Sequence, residues 1–271
     1  MWKHHILGFM LCTIVMIVAI LTLQPNYAAA EQHSWGFTRS KDGLGADAGA
    51  KFESILERYG AFYKGNPNEK VVYLTFDNGF EAGYTEGILD TLRKENVPAT
   101  FFLVGHYIDS APELVKQMVK DGHIIGNHSY KHPNMAKLSD EEMVEEWRKF
   151  DEALKELTGI ERTYYARPPE GVFSERMLEL GNKNGYTHMF WSIAFKDWDT
   201  DKTHGKEYAY NHLMNQLHPG ALILMHTVSK HNADALPDFI REAKKQGYRF
   251  ESLDNLVMDY HLNNWKWDKW S

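Results

Sequence analysis

A single cysteine, Cys12, occurs in a chain of 271 residues. No intrachain disulfide can form, and a cysteine-rich zinc site is excluded with it. Basic residues are also in deficit, with 30 Lys and Arg against 37 Asp and Glu, for a net charge of −7. No long basic run offsets that balance, so bulk electrostatic binding to nucleic acid is excluded. Nine prolines and 20 glycines are too few for a collagen-like or disordered composition. Internal repeats and low-complexity blocks are missing as well. What is present is 43% hydrophobic and 13% aromatic residues, enough for one sizeable core or an aromatic-lined groove. Fourteen histidines accompany them.

Long apolar runs are confined to the N-terminus. Lys3 precedes an apolar stretch over residues 6–23, then Gln24-Pro25-Asn26 and Tyr27-Ala28-Ala29-Ala30. A positive start, an apolar middle and an Ala-x-Ala end predict a secretory signal peptide over residues 1–30. The same run is just long enough to span a bilayer, so an uncleaved anchor is the alternative. Both readings export the remainder, where no disulfide is needed to stabilise a domain of this size. Residues 31–69 read as an N-terminal extension with a short helix over 52–59. Residues 70–258 read as the main domain, and residues 259–271 as a Trp-rich tail. The end of that tail, Trp265-Lys266-Trp267-Asp268-Lys269-Trp270, reads as a disordered end, a strap on the domain, or a contact for glycan or a membrane interface.

From residue 71 a rhythm sets in. Short apolar runs recur at 71–76, 100–104, 123–125, 163–166, 188–193, 221–225 and 248–251, mostly separated by segments of helical period. The clearest helix spans 139–157, where Met143, Trp147, Phe150, Leu154 and Leu157 step by four and three. Ser139 with Glu142 forms a capping box at its start, and Gly159 follows its end. Strands alternating with helices predict a parallel sheet covered by helices, and seven candidates predict a closed or nearly closed barrel. Chemistry in such barrels sits where strands end. Asp77, His128, Arg167, Asp197 and His226 all lie just after an apolar run.

Each of these residues also has an ordinary structural reading. Asp77, in Thr75-Phe76-Asp77-Asn78-Gly79, suits an Asx turn. His128-Ser129-Tyr130-Lys131-His132 carries two histidines four apart, which can meet one metal ion if a helical turn separates them. Pro133 should stop that turn at His132. Position 129 is not Glu, so the zinc-protease pattern does not apply. Arg167-Pro168-Pro169-Glu170-Gly171 is a rigid loop whose guanidinium can orient a carboxylate or simply be solvated. Trp191 reads as core, and Trp198, beyond its strand with Asp197, reads as the better groove candidate. His226 after residues 222–225 is either structural or a general acid.

Together these motifs resemble the polysaccharide deacetylases of carbohydrate esterase family 4, which share the chitooligosaccharide-deacetylase (NodB) homology domain. The resemblance covers roughly residues 70–256. The Thr-Phe-Asp-Asn-Gly motif, the Arg-Pro-Pro-x-Gly loop and His226-Thr227-Val228-Ser229 resemble the branch of peptidoglycan N-acetylmuramic acid deacetylases that lead to muramic delta-lactam. Ser34-Trp35-Gly36-Phe37 also fits that branch, more weakly.

The resemblance implies an α/β fold, a distorted (β/α)7 barrel of the polysaccharide deacetylase type. It makes Asp77 the general base, Arg167 its orienting partner, and His226 the general acid held by Asp197. His128 and His132, with Asn78, would hold a divalent metal such as zinc. Trp198, Tyr130, Glu170 and Pro169 would contact sugar, and a backbone N–H near Glu170 would face the oxyanion. The expected partner is peptidoglycan glycan, with no nucleic acid and no obligate protein partner, in the cell wall and in spore cortex.

Departures from the family pattern are specific. Asn78 replaces an aspartate that relatives give to the metal, so the ion should be weakly held and exchangeable. Ala194 stands where many relatives have an acid, and Glu170 where many have an aromatic residue. Two alternatives follow: a deacetylase of N-acetylglucosamine in peptidoglycan or chitin-like oligomers, and a non-catalytic glycan-binding wall protein. A glycoside hydrolase would leave the paired histidines and the Arg loop without a role.

Overall fold

The computed structural model describes residues 31–263 except 42 and 201–203. The expected signal peptide or anchor and residues 264–271 of the tail lie outside the described residues. Among the described residues no helix is long and apolar enough to cross a membrane. The described residues form nine strands: β1 (His33–Ser34), β2 (Val71–Asn78), β3 (Ala99–Leu103), β4 (Ile124–Asn127), β5 (Tyr165–Ala166), β6 (Val172–Phe173), β7 (Thr187–His188), β8 (Ala221–His226) and β9 (Arg249–Phe250). Seven of them make one sheet, with neighbours in the order β7-β5-β4-β3-β2-β8 and β9 added to the start of β2. Every pairing in it is parallel.

The seven apolar runs in the sequence fall on these seven strands. β2 is buried along all eight residues, as expected of a strand covered on both faces. Its alternating side chains divide two cores. Val72, Leu74 and Phe76 join the cluster under the helices, while Val71 and Tyr73 join Phe102, Tyr165, Met189 and Leu222 on the other face. The run at 188–193 is the one that departs from a regular strand. After β7 the chain turns away from β5: Phe190 N–H donates to the Phe62 carbonyl and Ser192 N–H to that of Leu222. A parallel bridge between Ile193 and Ile223 then ties this segment to β8. The sheet is therefore curled, and its two edges meet through an irregular segment rather than a full ladder.

The helices are α1 (Gly49–Arg58), α2 (Thr85–Glu95), α3 (Gly105–Ser110), α4 (Pro112–Lys120), α5 (Asp140–Thr158), α6 (Glu175–Lys183), α7 (Lys206–Gln216), α8 (Lys230–Lys245) and α9 (Leu253–Asn263). α5 has the expected capping box at Ser139 and Glu142, and Gly159 closes it in the left-handed region at φ 79°. The extension packs on the domain through Ile55 and Leu56, which share a cluster with Phe173, Met177 and Phe190. The Trp35 ring packs tilted against Phe190 with centres 4.7 Å apart, and β1 pairs antiparallel with β6. α9 continues through residue 258, so the first residues of the expected tail are helical.

Candidate active site

Parallel strands bring their C-terminal ends to one rim, and the register fixes who meets there. Asp77 at the end of β2 lies directly across from His226 at the end of β8. Asn127 ends β4 opposite Ala166 of β5, so His128 and Arg167 leave neighbouring strands side by side.

Arg167 turns inward and is fully buried. Its Nη1 donates to Asp77 Oδ1 at 2.7 Å, and Nη2 to Thr75 Oγ1 at 2.8 Å and the Phe190 carbonyl at 3.2 Å. Nε donates to the Met189 carbonyl at 3.0 Å, and the guanidinium lies 4.1 Å from the Phe102 ring centre. A buried cation with this many partners is a fixed element rather than a solvated loop residue. Burial alone would raise the Asp77 carboxyl, but Arg167, with His128 and His226, outweighs it and holds it below the usual range. Asp77 is thus an anion with Oδ1 held by Arg167 and Oδ2 3.4 Å from His128 Nε2.

The two histidines converge without a helix. Ser129 and His132 both adopt left-handed backbone, at φ 66° and 58°, and fold the segment back on itself. Asn127 Oδ1 accepts from Ser129 N–H, and Ser129 Oγ accepts from His132 N–H. The rings meet edge to face with centres 4.9 Å apart. The expected stop at Pro133 is realised as this tight turn. His128 Nδ1 lies 2.9 Å from the Arg167 carbonyl and must donate to it, which leaves Nε2 with its lone pair. Burial pushes His128 down to about 4, so it is neutral near pH 7.

His226 Nδ1 lies 2.7 Å from Asp197 Oδ1, and His226 N–H donates to Asp197 Oδ2 at 2.8 Å. Burial would lower this imidazole, yet the Asp197 charge outweighs it and the net direction is upward. Trp198 stands edge-on to the ring at 5.7 Å.

These groups open into a pocket of about 530 Å³ lined by Asp77, His128, His132, His226, Glu170, Trp198 and several apolar side chains. Glu170 sits at φ 57° in a 3-10 turn over Pro169–Gly171, and its N–H has no backbone acceptor among the described residues. Tyr130 and Pro169 are not brought to this pocket. The Tyr130 ring lies on α3 where Gly105 has no side chain: a Cβ there would come within 2.3 Å of it. Pro169 is buried under the turn that presents Glu170. Asn78 lies behind the wall, fully buried, with Nδ2 donating to Thr227 Oγ1 at 2.7 Å.

Other wall residues escaped the sequence reading. Gly79, Phe80, Trp191, Leu224 and Val228 line the pocket. Phe80 is half-exposed, and its place after Thr-Phe-Asp-Asn-Gly was the available signal. Trp191, read as core, contributes one face here, and its carbonyl accepts from Trp35 Nε1.

No group of three His, Cys, Asp or Glu side chains suited to a metal ion occurs among the described residues. The two imidazoles do converge, and Asn78 Oδ1 is buried without a hydrogen-bond partner. The two nitrogen donors fit a borderline divalent ion such as zinc; Asn78, expected as a third ligand, does not line this pocket.

Residues 64–189 match the family model for polysaccharide deacetylase. The chain is 49% identical over 248 residues to an uncharacterized 30.6 kDa protein of Geobacillus stearothermophilus, covering 92% of this chain and 94% of that one. It is 45% identical over 252 residues to the peptidoglycan-N-acetylmuramic acid deacetylase PdaA of Bacillus subtilis, covering 93% and 96%. The solved structure of Bacillus subtilis PdaA, a family 4 carbohydrate esterase, aligns at 47% identity with a TM-score of 0.83, over 85% of this chain and 98% of that one. With the fold, the rim motifs and these likenesses in agreement, the chain belongs to the polysaccharide deacetylases of carbohydrate esterase family 4, hydrolases of amide bonds.

Proposed function

We propose that this protein removes the acetyl group from N-acetylmuramic acid residues of peptidoglycan, releasing acetate. The observation that carries the reading is the pairing across the rim. An anionic Asp77 held by Arg167 faces an imidazole, His226, whose other nitrogen is held by Asp197. An amide has a poor electrophile and a poor leaving group, so it needs both a base and an acid. Asp77 Oδ2, left free by Arg167, accepts the proton of a water that attacks the acetamide carbonyl. The N–H of Glu170 faces the developing oxyanion. His226, protonated on Nε2, gives its proton to the departing sugar nitrogen, and Asp197 stabilises the imidazolium meanwhile. His128 and His132 would hold a divalent metal, which supplies polarisation of the carbonyl and water when bound. Trp198 and Phe80, both well exposed at the pocket, offer faces for sugar rings.

The muramic acid assignment is supported by the relative of that activity, which matches nearly end to end. On this reading the protein acts outside the membrane at the cell wall, and residues 1–30 would serve as its export signal or anchor. Formation of muramic delta-lactam in spore cortex is the pathway this product would feed. Mass spectrometry of glycan fragments, digested with and without the enzyme, tests the reading. Loss of one acetyl group from muramic acid is expected. Loss from glucosamine alone would reassign the substrate, and no loss from either sugar would leave a glycan-binding protein.

A further inference from the structure

Asp197 has a third donor that the rim motifs do not include. Asn232 is buried in the first turn of α8, six residues after His226. Its Nδ2 donates to Asp197 Oδ2 at 2.5 Å and to the His226 carbonyl at 3.0 Å. Both partners are acceptors, so the amide nitrogen must face them, and the orientation of this side chain is not ambiguous. We infer that Asn232 is a positioning residue for the proposed deacetylation, locking the Asp197–His226 pair at the end of β8.

The local structure explains why this residue can do so. β8 ends at His226, three residues make the turn, and Ser229 caps α8 by accepting from the Asn232 N–H. In a capping box the residue at this position turns its side chain back to the cap. Asn232 instead turns its side chain inward, to the carboxylate. Asp197 Oδ2 then takes two donors, Asn232 Nδ2 and His226 N–H, while Oδ1 is left for His226 Nδ1. A carboxylate with one oxygen anchored twice cannot rotate, so its other oxygen stays on the imidazole. Asn232 also bridges the carboxylate to the His226 backbone, joining the acid's main chain to its partner. The remaining groups that face this pair are Asp77 and Arg167 toward His226, and His231 toward Asp197. None of them replaces a donor to Oδ2.

The inference rests on the function proposed above, and the test separates the two. Acetate release from muramic-containing glycan is measured against pH for the wild type, Asn232→Leu, Asp197→Asn and the double variant. Asn232→Leu keeps the volume and removes both donations. Its kcat is expected to fall about 10- to 100-fold, the usual effect of losing an outer partner that orients a reacting group. KM should change little, because Asn232 does not line the pocket. The alkaline limb of kcat should move to lower pH, since a freed carboxylate supports the imidazolium less well. In the Asp197→Asn background the same change should cost little more, as expected of residues acting in one chain. If Asn232→Leu does not fold, Asn232→Ser retains a donor and should give intermediate kcat and an intermediate limb. A wild-type limb and kcat in a folded variant, or full additivity with Asp197→Asn, would overturn the inference. An inactive wild type would instead overturn the proposed function.

Discussion

The guanidinium of Arg167 is held by four hydrogen bonds inside the barrel, and one of them neutralises an equally buried carboxylate. Removing one partner of such a pair leaves an uncompensated charge, which costs about 3–5 kcal/mol. Arg167→Met is therefore expected to destabilise the protein by roughly that amount at neutral pH. The pH dependence has a definite sign. Asp77 sits below its ordinary range in the folded protein, so its contribution is present above the unfolded value and lost as pH falls through the folded one. Without Arg167, burial would raise Asp77 instead, and its protonation on acidification would relieve the unpaired charge. The variant's deficit, measured by denaturant titration, should shrink as pH falls below the carboxylate range. A deficit that stays constant with pH would show that the loss comes from packing on Phe102 rather than from charge.

Between residues and fold stand the elements that aim the histidines. α3 begins at Gly105, whose missing side chain lets the Tyr130 ring lie against its backbone. Tyr130 in turn sits between His128 and His132, so the helix start supports the turn that brings them together. Gly105→Ala would place a Cβ 2.3 Å from that ring, and overpacking of this kind typically costs about 1–3 kcal/mol. The ring must move, and the turn with it. We expect a matching loss of divalent-metal affinity, measured by titration calorimetry, with the helical content unchanged by circular dichroism. Unchanged metal affinity would mean that the turn is held by Asn127 and Ser129 alone.

The same turn marks the boundary of what was legible in the sequence. Apolar periodicity located all seven strands of the sheet, because a buried parallel strand must be apolar throughout. The strand-end rule then placed Asp77, Arg167 and His226 at one rim. Periodicity says nothing about left-handed residues in a loop, so the approach of His132 to His128 was expected through a helix and occurs through Ser129 and His132 backbone. Tyr130 was expected at the sugar from the family resemblance, but it packs half-buried on the bare backbone of Gly105 instead. Asn232 was invisible for another reason: it lies in a regular helix, and only the fold brings that first turn beneath Asp197.

At the scale of the whole molecule, the question is how far the fold depends on a metal. Among the described residues, hydrogen bonds between protein groups join the strands at the rim. Arg167 fixes Asp77, the Arg167 carbonyl fixes the His128 ring, and Asp197 fixes His226. These bonds tie β2, the end of β4, the end of β5 and β8 together, above the two apolar clusters packed on either face of the sheet. A metal that meets such a prepared site adds only its own binding free energy, RT ln(1 + [L]/Kd), to the stability. With no carboxylate at position 78, that affinity should be modest. Exhaustive chelation is therefore expected to abolish acetate release while leaving the melting temperature nearly unchanged. Added zinc should restore activity and raise the melting temperature gradually with its concentration. A metal that survives chelation at one ion per chain would contradict the donor set. Unfolding on its removal would contradict the prepared rim, because the ion would then be holding together strands that Arg167 and Asp197 are credited with joining.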